Sequence, residues 1–337
     1  MAETLDRNQA EDFRDRDVAD AWMYINPGKT PFLTMCPKGR SPKVRKLEQP
    51  AMLRPAPRNQ PVPDGKDVAD AEYESIEDKK RMMVTTWQQA RRATKVGNIA
   101  DVLGAQVPNL PPRGSLLRKN IEMFMVALRQ DVEMVCLSNQ DLFFETDDNN
   151  PNRTRGLGSF IDDTAQAAEP VPAEFRTPAT SIKGGKATRQ AISEDDLGDI
   201  LESVYEANEE PADLDMLCRL GVKRQMADWT RAGSTANNVM PLRRFTQDAD
   251  EEKIKCSVSI YEGEGIVRVH PHFHLPAGEA EAYVWAYLLN LDYHEVNMVD
   301  APKFIPHPNK GGGPRGHMSW TFFNNVRNPL KDGKITK

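Results

Sequence analysis

The residues with the most obvious chemical potential are three histidines at alternate positions, His270-Pro271-His272-Phe273-His274. On an extended strand every second side chain points to the same face. Three imidazoles so placed could meet one zinc ion from one side. A hydrolase built on them would also need a general base held beside the metal and a substrate cleft. Glu262 and Glu264 are close in sequence, but nothing in the sequence fixes either in space. The same spacing has a plainer reading. Val267, Val269, Pro271, Phe273 and Leu275 take the other parity, so Arg268 and the three histidines form the polar face of a half-buried strand. That reading needs no further residues and is the one adopted, with a zinc-dependent hydrolase using His270, His272 and His274 as its alternative.

The remaining motifs carry less chemistry. Lys183-Gly184-Gly185-Lys186-Ala187-Thr188 invites comparison with a phosphate-binding loop, but Thr180 stands where the first glycine belongs and Ala187 where the hydroxyl belongs. Gly311-Gly312-Gly313-Pro314 reads as a flexible loop, and no GxSxG elbow occurs. Cys36, Cys136, Cys218 and Cys256 form no CxxC pair and read as reduced, structural thiols. No catalytic, cofactor-binding or metal-binding residue is therefore assigned, and no cofactor is expected.

The elements that would position such residues follow from composition and patterning. At 337 residues the chain exceeds the size at which one core stops growing, so two or more lobes are expected. The formal net charge of −6 excludes a basic nucleic-acid glove or a membrane-surface protein. No apolar run reaches the roughly 18 residues of a membrane span. The opening Met1-Ala2-Glu3-Thr4-Leu5-Asp6-Arg7 is not a signal peptide. The protein is expected to be made and used in a cytoplasm, or assembled there.

Residues 1–40 read as an arm, with a short helix at Ala19–Tyr24 and then a turn and extended stretch through Asn26 to Leu33. Seven prolines crowd residues 37–63, which forbids a central sheet strand after Lys43–Leu47. Val84, Thr85, Thr86 and Trp87 favour strand within Lys79–Lys95. The two stretches pair as a long hairpin around Asp64-Gly65, and such a ribbon is not stable alone. Residues 115–139 give the clearest helix: Leu117, Ile121, Phe124, Met125, Leu128, Val132, Val135 and Cys136 share one face. Arg118, Lys119, Glu122, Arg129 and Glu133 are assigned to the opposite, solvated or partner-facing side. From residue 191 the texture becomes α/β. Ser193-Glu194-Asp195-Asp196 is a capping-box variant, and Leu197, Ile200, Leu201 and Val204 mark the buried helical face behind it. Strands are expected at Asp213–Cys218, Ile254–Tyr261, Gly265–Leu275, Tyr283–Leu291 and Gly316–Phe323, with a helix at Gly221–Trp229. Arg91, Arg92, Arg113, Arg118 and Lys119 form a modest cationic cluster. Across a subunit interface they would face Asp64, Asp67, Asp70, Glu72, Glu74, Glu77 and Asp78.

This order of elements resembles the tailed-bacteriophage major capsid proteins with the Hong Kong 97 phage (HK97-like) fold, and within them a podovirus-type coat-protein family. The local likenesses are Lys29-Thr30-Pro31-Phe32-Leu33, Arg155-Gly156-Leu157, Ser193-Glu194-Asp195-Asp196-Leu197 and Asp213-Leu214-Asp215-Met216. The resemblance implies an α+β fold: an N-terminal arm (1–40), an extended β-hairpin loop (41–97), a peripheral domain (98–190) with its spine helix at 115–139, an α/β axial domain (191–300), and a return to the peripheral domain (301–337). It implies a structural protein and not an enzyme. Its partners would be itself in hexamers and pentamers, portal and scaffolding proteins, decoration proteins, and packaged double-stranded DNA by weak contact, with no membrane. Some shells of this fold cross-link Lys to Asn, but no motif selects a pair such as Lys66 and Asn325. Bacterial encapsulin nanocompartments share the architecture.

Overall fold

The computed structural model describes residues 28–39, 43–52, 54–55, 57–59, 61–73, 75, 80–99, 116–231, 259–279 and 282–337. The expected helix at Ala19–Tyr24, the cap at Ser115, residues 254–258 of one expected strand, and Arg113, Glu74, Glu77, Asp78 and Cys256 lie outside them.

The chain's longest helix forms where the three-and-four spacing predicts it. Helix α2 (Leu116–Leu137) spans 22 residues, about 33 Å. Its expected face packs inward, and burial deepens toward the C-terminal end, where Leu128, Val132, Cys136 and Leu137 are fully covered. This helix lies on a three-stranded antiparallel sheet of β3 (Gln88–Lys95), β10 (Arg315–Val326) and β9 (His294–His307), in that order. Met318, Trp320 and Phe322 join its apolar face in one core. Strand β9 was not expected. Asp300, Pro302, Lys303 and Pro306 break an apolar pattern, yet β10 is the one strand of the sheet that β9 pairs with, its other side meeting the chain only in a bridge from Val296 to Lys38, and an edge strand tolerates proline. The glycine run turns β9 into β10, with Gly311 and Gly313 at φ of 86° and 102°.

The second sheet has six strands in the order β4 (Ile182–Lys183), β11 (Gly333–Thr336), β8 (Val284–Leu289), β5 (Asp213–Cys218), β7 (Ile266–Pro271) and β6 (Ile260–Glu262). Helices α4 (Glu194–Asn208) and α5 (Leu220–Arg231) cover it. The predicted capping box opens α4: Asp196 N–H donates to Ser193 Oγ at 3.2 Å, and Ser193 N–H donates to Asp196 Oδ2 at 2.8 Å. Leu197, Ile200, Leu201 and Val204 face the sheet as expected. Strand β11 closes the chain within this sheet, between β4 and β8.

Two expectations change. The ribbon pairs β1 (Lys46–Met52) with β2 (Lys80–Thr86), from Lys46↔Thr86 to Met52↔Lys80. It ends at Trp87, because the chain beyond crosses to the other sheet as β3. The ribbon's base also rests on its own chain: Met83, Val84, Thr85 and Thr86 are buried, and Thr85 Oγ1 donates to the Asn324 carbonyl at 3.0 Å. Pro50 is accommodated because β1 is an edge. In the arm, the expected extended stretch is instead a short helix, α1 (Pro31–Met35), with proline in its first turn, where no N–H is missed.

Gly156 precedes the four-residue helix α3 (Leu157–Phe160), and its N–H donates to Gln140 O at 2.9 Å. A Cβ at Gly156 would stand 2.0 Å from the Ser138 backbone carbonyl oxygen. Gly156→Ala therefore forces backbone apart, and its urea-unfolding midpoint should fall by the equivalent of about 1–3 kcal/mol. An unchanged midpoint would contradict the tight approach.

Candidate functional site

The three histidines do not converge. His270 Nε2 lies 2.9 Å from Asp215 Oδ1 across the β5–β7 pair. His272 Nε2 lies 2.5 Å from Glu133 Oε1 of α2. The His274 ring stands 6.0 Å from that of His272, edge on. Among the described residues no group of His, Cys, Asp and Glu is placed to hold a metal ion. The expected alternation also fails beyond Pro271, where β7 ends. The next residues turn, so His272 is buried and Phe273 is 88% exposed, the reverse of a continued strand.

Glu133 is a second correction, since it was assigned to the solvated face and is fully buried. Its surroundings explain why. Phe32 and Leu33 are first-turn residues of α1, whose N–H groups have no partner within the helix. Thr30 makes no side-chain cap there. Glu133 takes its place: Phe32 N–H donates to Oε1 at 3.2 Å and Leu33 N–H to Oε2 at 3.1 Å. The third donor is His272. His274 N–H donates to His272 Nδ1 at 3.0 Å, so the imidazole proton sits on Nε2 and points to Glu133. Arg129, one turn earlier, donates to Thr34 Oγ1 at 3.0 Å. The sequence signal was a lone glutamate with Val132 before it and the apolar run Met134-Val135-Cys136-Leu137 after it.

A second buried pair joins the ends of two strands. His294 Nε2 lies 2.9 Å from Asp332 Oδ1, which also accepts from Asn290 N–H at 3.1 Å. Burial raises the Asp332 carboxyl above its ordinary value, and His294 beside it offsets part of that rise. Three thiols are sealed in the same way. Burial pushes Cys36 and Cys218 up to about 12, and raises Cys136 well above the usual thiol value.

The expected cationic cluster divides across strand β3. Arg92 turns inward and pairs with Asp131 of α2 through Nε at 2.5 Å and Nη2 at 2.6 Å. Arg91 points to the other face, and Arg118 pairs with Glu122 at 3.6 Å. Lys183 and Lys186 of the glycine loop bind Asp199 and Asp196 at 2.7 Å, as structural ion pairs. What the geometry supports, among the described residues, is the fastening of distant segments by buried carboxylates, with no nucleophile and base set toward a substrate.

Glu133→Ala should strand three N–H donors and cost about 3–5 kcal/mol. Amide exchange at residues 31–35 should accelerate, and protection equal to wild type would refute the capping role. Asp332 supplies a pH signature. Its folded-state value is raised, so the native state holds the proton longer, and stability falls as pH rises from about 3.9 through that raised value. Asp332→Asn removes the term. The stability difference between variant and wild type, read by urea unfolding, should grow in the variant's favour across that window. A flat difference would show that Asp332 does not contribute.

Residues 4–337 match the profile of the SU10 major capsid protein family. No curated protein sequence matches the chain. Among solved structures, the capsid of a native GTA particle aligns with a TM-score of 0.60 at 8% identity, covering 96% of this chain and 94% of that one. The cyanophage A-1(L) capsid asymmetric unit aligns at 0.59 and 13% identity, covering 98% and 97%. Gordonia phage Cozz aligns at 0.56 and 12%, covering 95% and 90%. At such identities the likeness is one of fold, and it runs the full length of an HK97-like capsid subunit. The chain belongs to the SU10 major capsid protein family, and is a structural subunit of an icosahedral phage head.

Proposed function

We propose that the chain builds its shell as hexamers and pentamers of itself and encloses double-stranded DNA through weak, non-specific contact. The observation that carries this reading is the ribbon turn: from Pro61 to Tyr73 every described side chain is exposed, including Val62, Val68 and Tyr73. Exposed apolar side chains on a projecting segment fit burial against neighbouring copies. In this reading the arm within residues 1–40 and the ribbon of β1 and β2 reach onto adjacent subunits. The three-stranded sheet with α2 is the peripheral part. The six-stranded sheet, with α4 and α5, is the axial part that meets its copies at five-fold and six-fold axes. Portal, scaffolding and decoration proteins are its further partners. The net charge of −6 suits a lining that does not hold DNA tightly.

Negative-stain microscopy of the expressed chain tests this. Closed shells, tubes or hexameric rings are expected. A chain that stays a compact monomer at high concentration, with residues 41–97 protected from protease, would overturn the reading.

A further inference from the structure

Strand β9 carries extra residues opposite the middle of β10. Lys303 pairs with Ser319 and Asp300 with Thr321, so Ala301 and Pro302 stand against Trp320 alone. Val299 is a further extra residue, because the partners of Asp300 and Met298, Thr321 and Phe322, are adjacent. Extra residues bend the strand that holds them and interrupt its ladder. Beside this bend lies a cavity of about 280 Å³, bounded by β9, β10, α2 and the arm. Met125 of α2, Met298 and Pro302 of β9, and Trp320 of β10 give it apolar walls, and Leu33 of α1 closes the arm side.

The charge at this cavity has one sign. Arg129 of α2 and Lys38, which follows α1, both line it and are both exposed, so they stand at its mouth. Neither has an ion-pair partner among the described residues, and no described carboxylate lines the cavity. Arg129 is held from one side, where Nη2 donates to Thr34 Oγ1 at 3.0 Å, which leaves other N–H groups of its planar fork for an acceptor. The Trp320 indole is 6% exposed, and its Nε1–H has no acceptor. A buried donor without a partner is costly, so this wall also favours an occupant that brings oxygen.

We propose that the cavity is a binding site for a small amphipathic monoanion, a straight-chain fatty acid of about eight carbons. Its carboxylate would sit at Arg129 and Lys38, and its chain would lie over Met125, Met298 and Trp320. At the roughly 30 Å³ that a water takes up in the liquid, the space suits about nine or ten heavy atoms, the size of octanoate. Methionine side chains are unbranched and polarizable, so Met125 and Met298 can follow a flexible chain. A planar guanidinium is matched to a carboxylate, and a neutral alcohol would fill the walls while leaving both cations unmatched. Because arm, helix and sheet all line the cavity, an occupant ties the arm to the sheet. The proposal does not depend on the shell reading.

The test uses the purified full-length chain, with octanoate, octanol and a terminally brominated octanoate as probes. Octanoate should raise the urea-unfolding midpoint saturably, since a ligand of the native state stabilises it. Octanol should bind more weakly by about tenfold or more. Bromine quenches tryptophan fluorescence at contact, so the brominated acid should quench wild type and lose that saturable quenching in Trp320→Phe. Lys38→Ala with Arg129→Ala should weaken octanoate binding by about tenfold or more and leave octanol binding unchanged. Arg129→Lys alone keeps the charge and should retain most of the affinity, which separates the head-group contact from a folding defect. Equal affinity for octanol and octanoate, unchanged affinity in the double variant, or an equal loss in Arg129→Lys would overturn the anion site. Absence of saturable stabilisation by octanoate, or quenching that survives Trp320→Phe, would overturn it as well. Octanoate that binds free chains but is excluded from assembled shells would make a segment of a neighbouring copy the occupant, and would also overturn the proposal.

Discussion

A carboxylate removed from water is tolerable only where other donors replace its hydration. Glu133 meets that condition with three N–H groups drawn from residues 32, 33 and 272, so its burial requires distant parts of the chain to arrive together. One donor pair belongs to the arm, one donor follows the end of β7 in the six-stranded sheet, and the acceptor rides on the helix that covers the three-stranded sheet. The two layers and the arm are thereby fixed to a common point. A neighbouring tie reinforces it, since Tyr287 of β8 donates to the Leu137 carbonyl at the end of α2, at 3.0 Å. The apolar core alone is non-directional. These polar contacts set which way the pieces face.

Strand geometry sorts charge as firmly as burial does. Arg91 and Arg92 are adjacent in sequence but lie on opposite faces of β3. Arg92 is used internally, held by Asp131, whereas Arg91 joins Lys95, Arg315 and Lys303 on the outer face. A subunit with mild overall acidity can thus present regions of either sign. For a protein that assembles with copies of itself, such local asymmetry carries more information than net charge does.

The parts legible in the sequence are those whose cause is local. The spacing of Leu128, Val132 and Cys136 announces α2, Ser193 and Asp196 announce the start of α4, and Asp213–Cys218 declares its strand. The parts that escaped depend on partners far along the chain. Pro31–Met35 becomes helical where Glu133, some hundred residues on, accepts its first-turn donors. The prolines and charges of β9 look like a loop until β10 pairs along its length. His272 shares the sequence parity of His270 and is nevertheless buried, because β7 stops one residue before it. The histidine strand attracted attention for its chemistry, and its central member proved to serve fastening instead.

Cys36, Cys136 and Cys218 are enclosed in the core, where desolvation keeps them as thiols. A thiol must ionise and be reached before it can exchange or oxidise. A phage head is made inside a reducing cell and released into oxygenated surroundings. For these three sulfurs that passage is chemically silent. The subunit can cross between the two redox worlds without gaining, losing or shuffling a covalent bond at any of them.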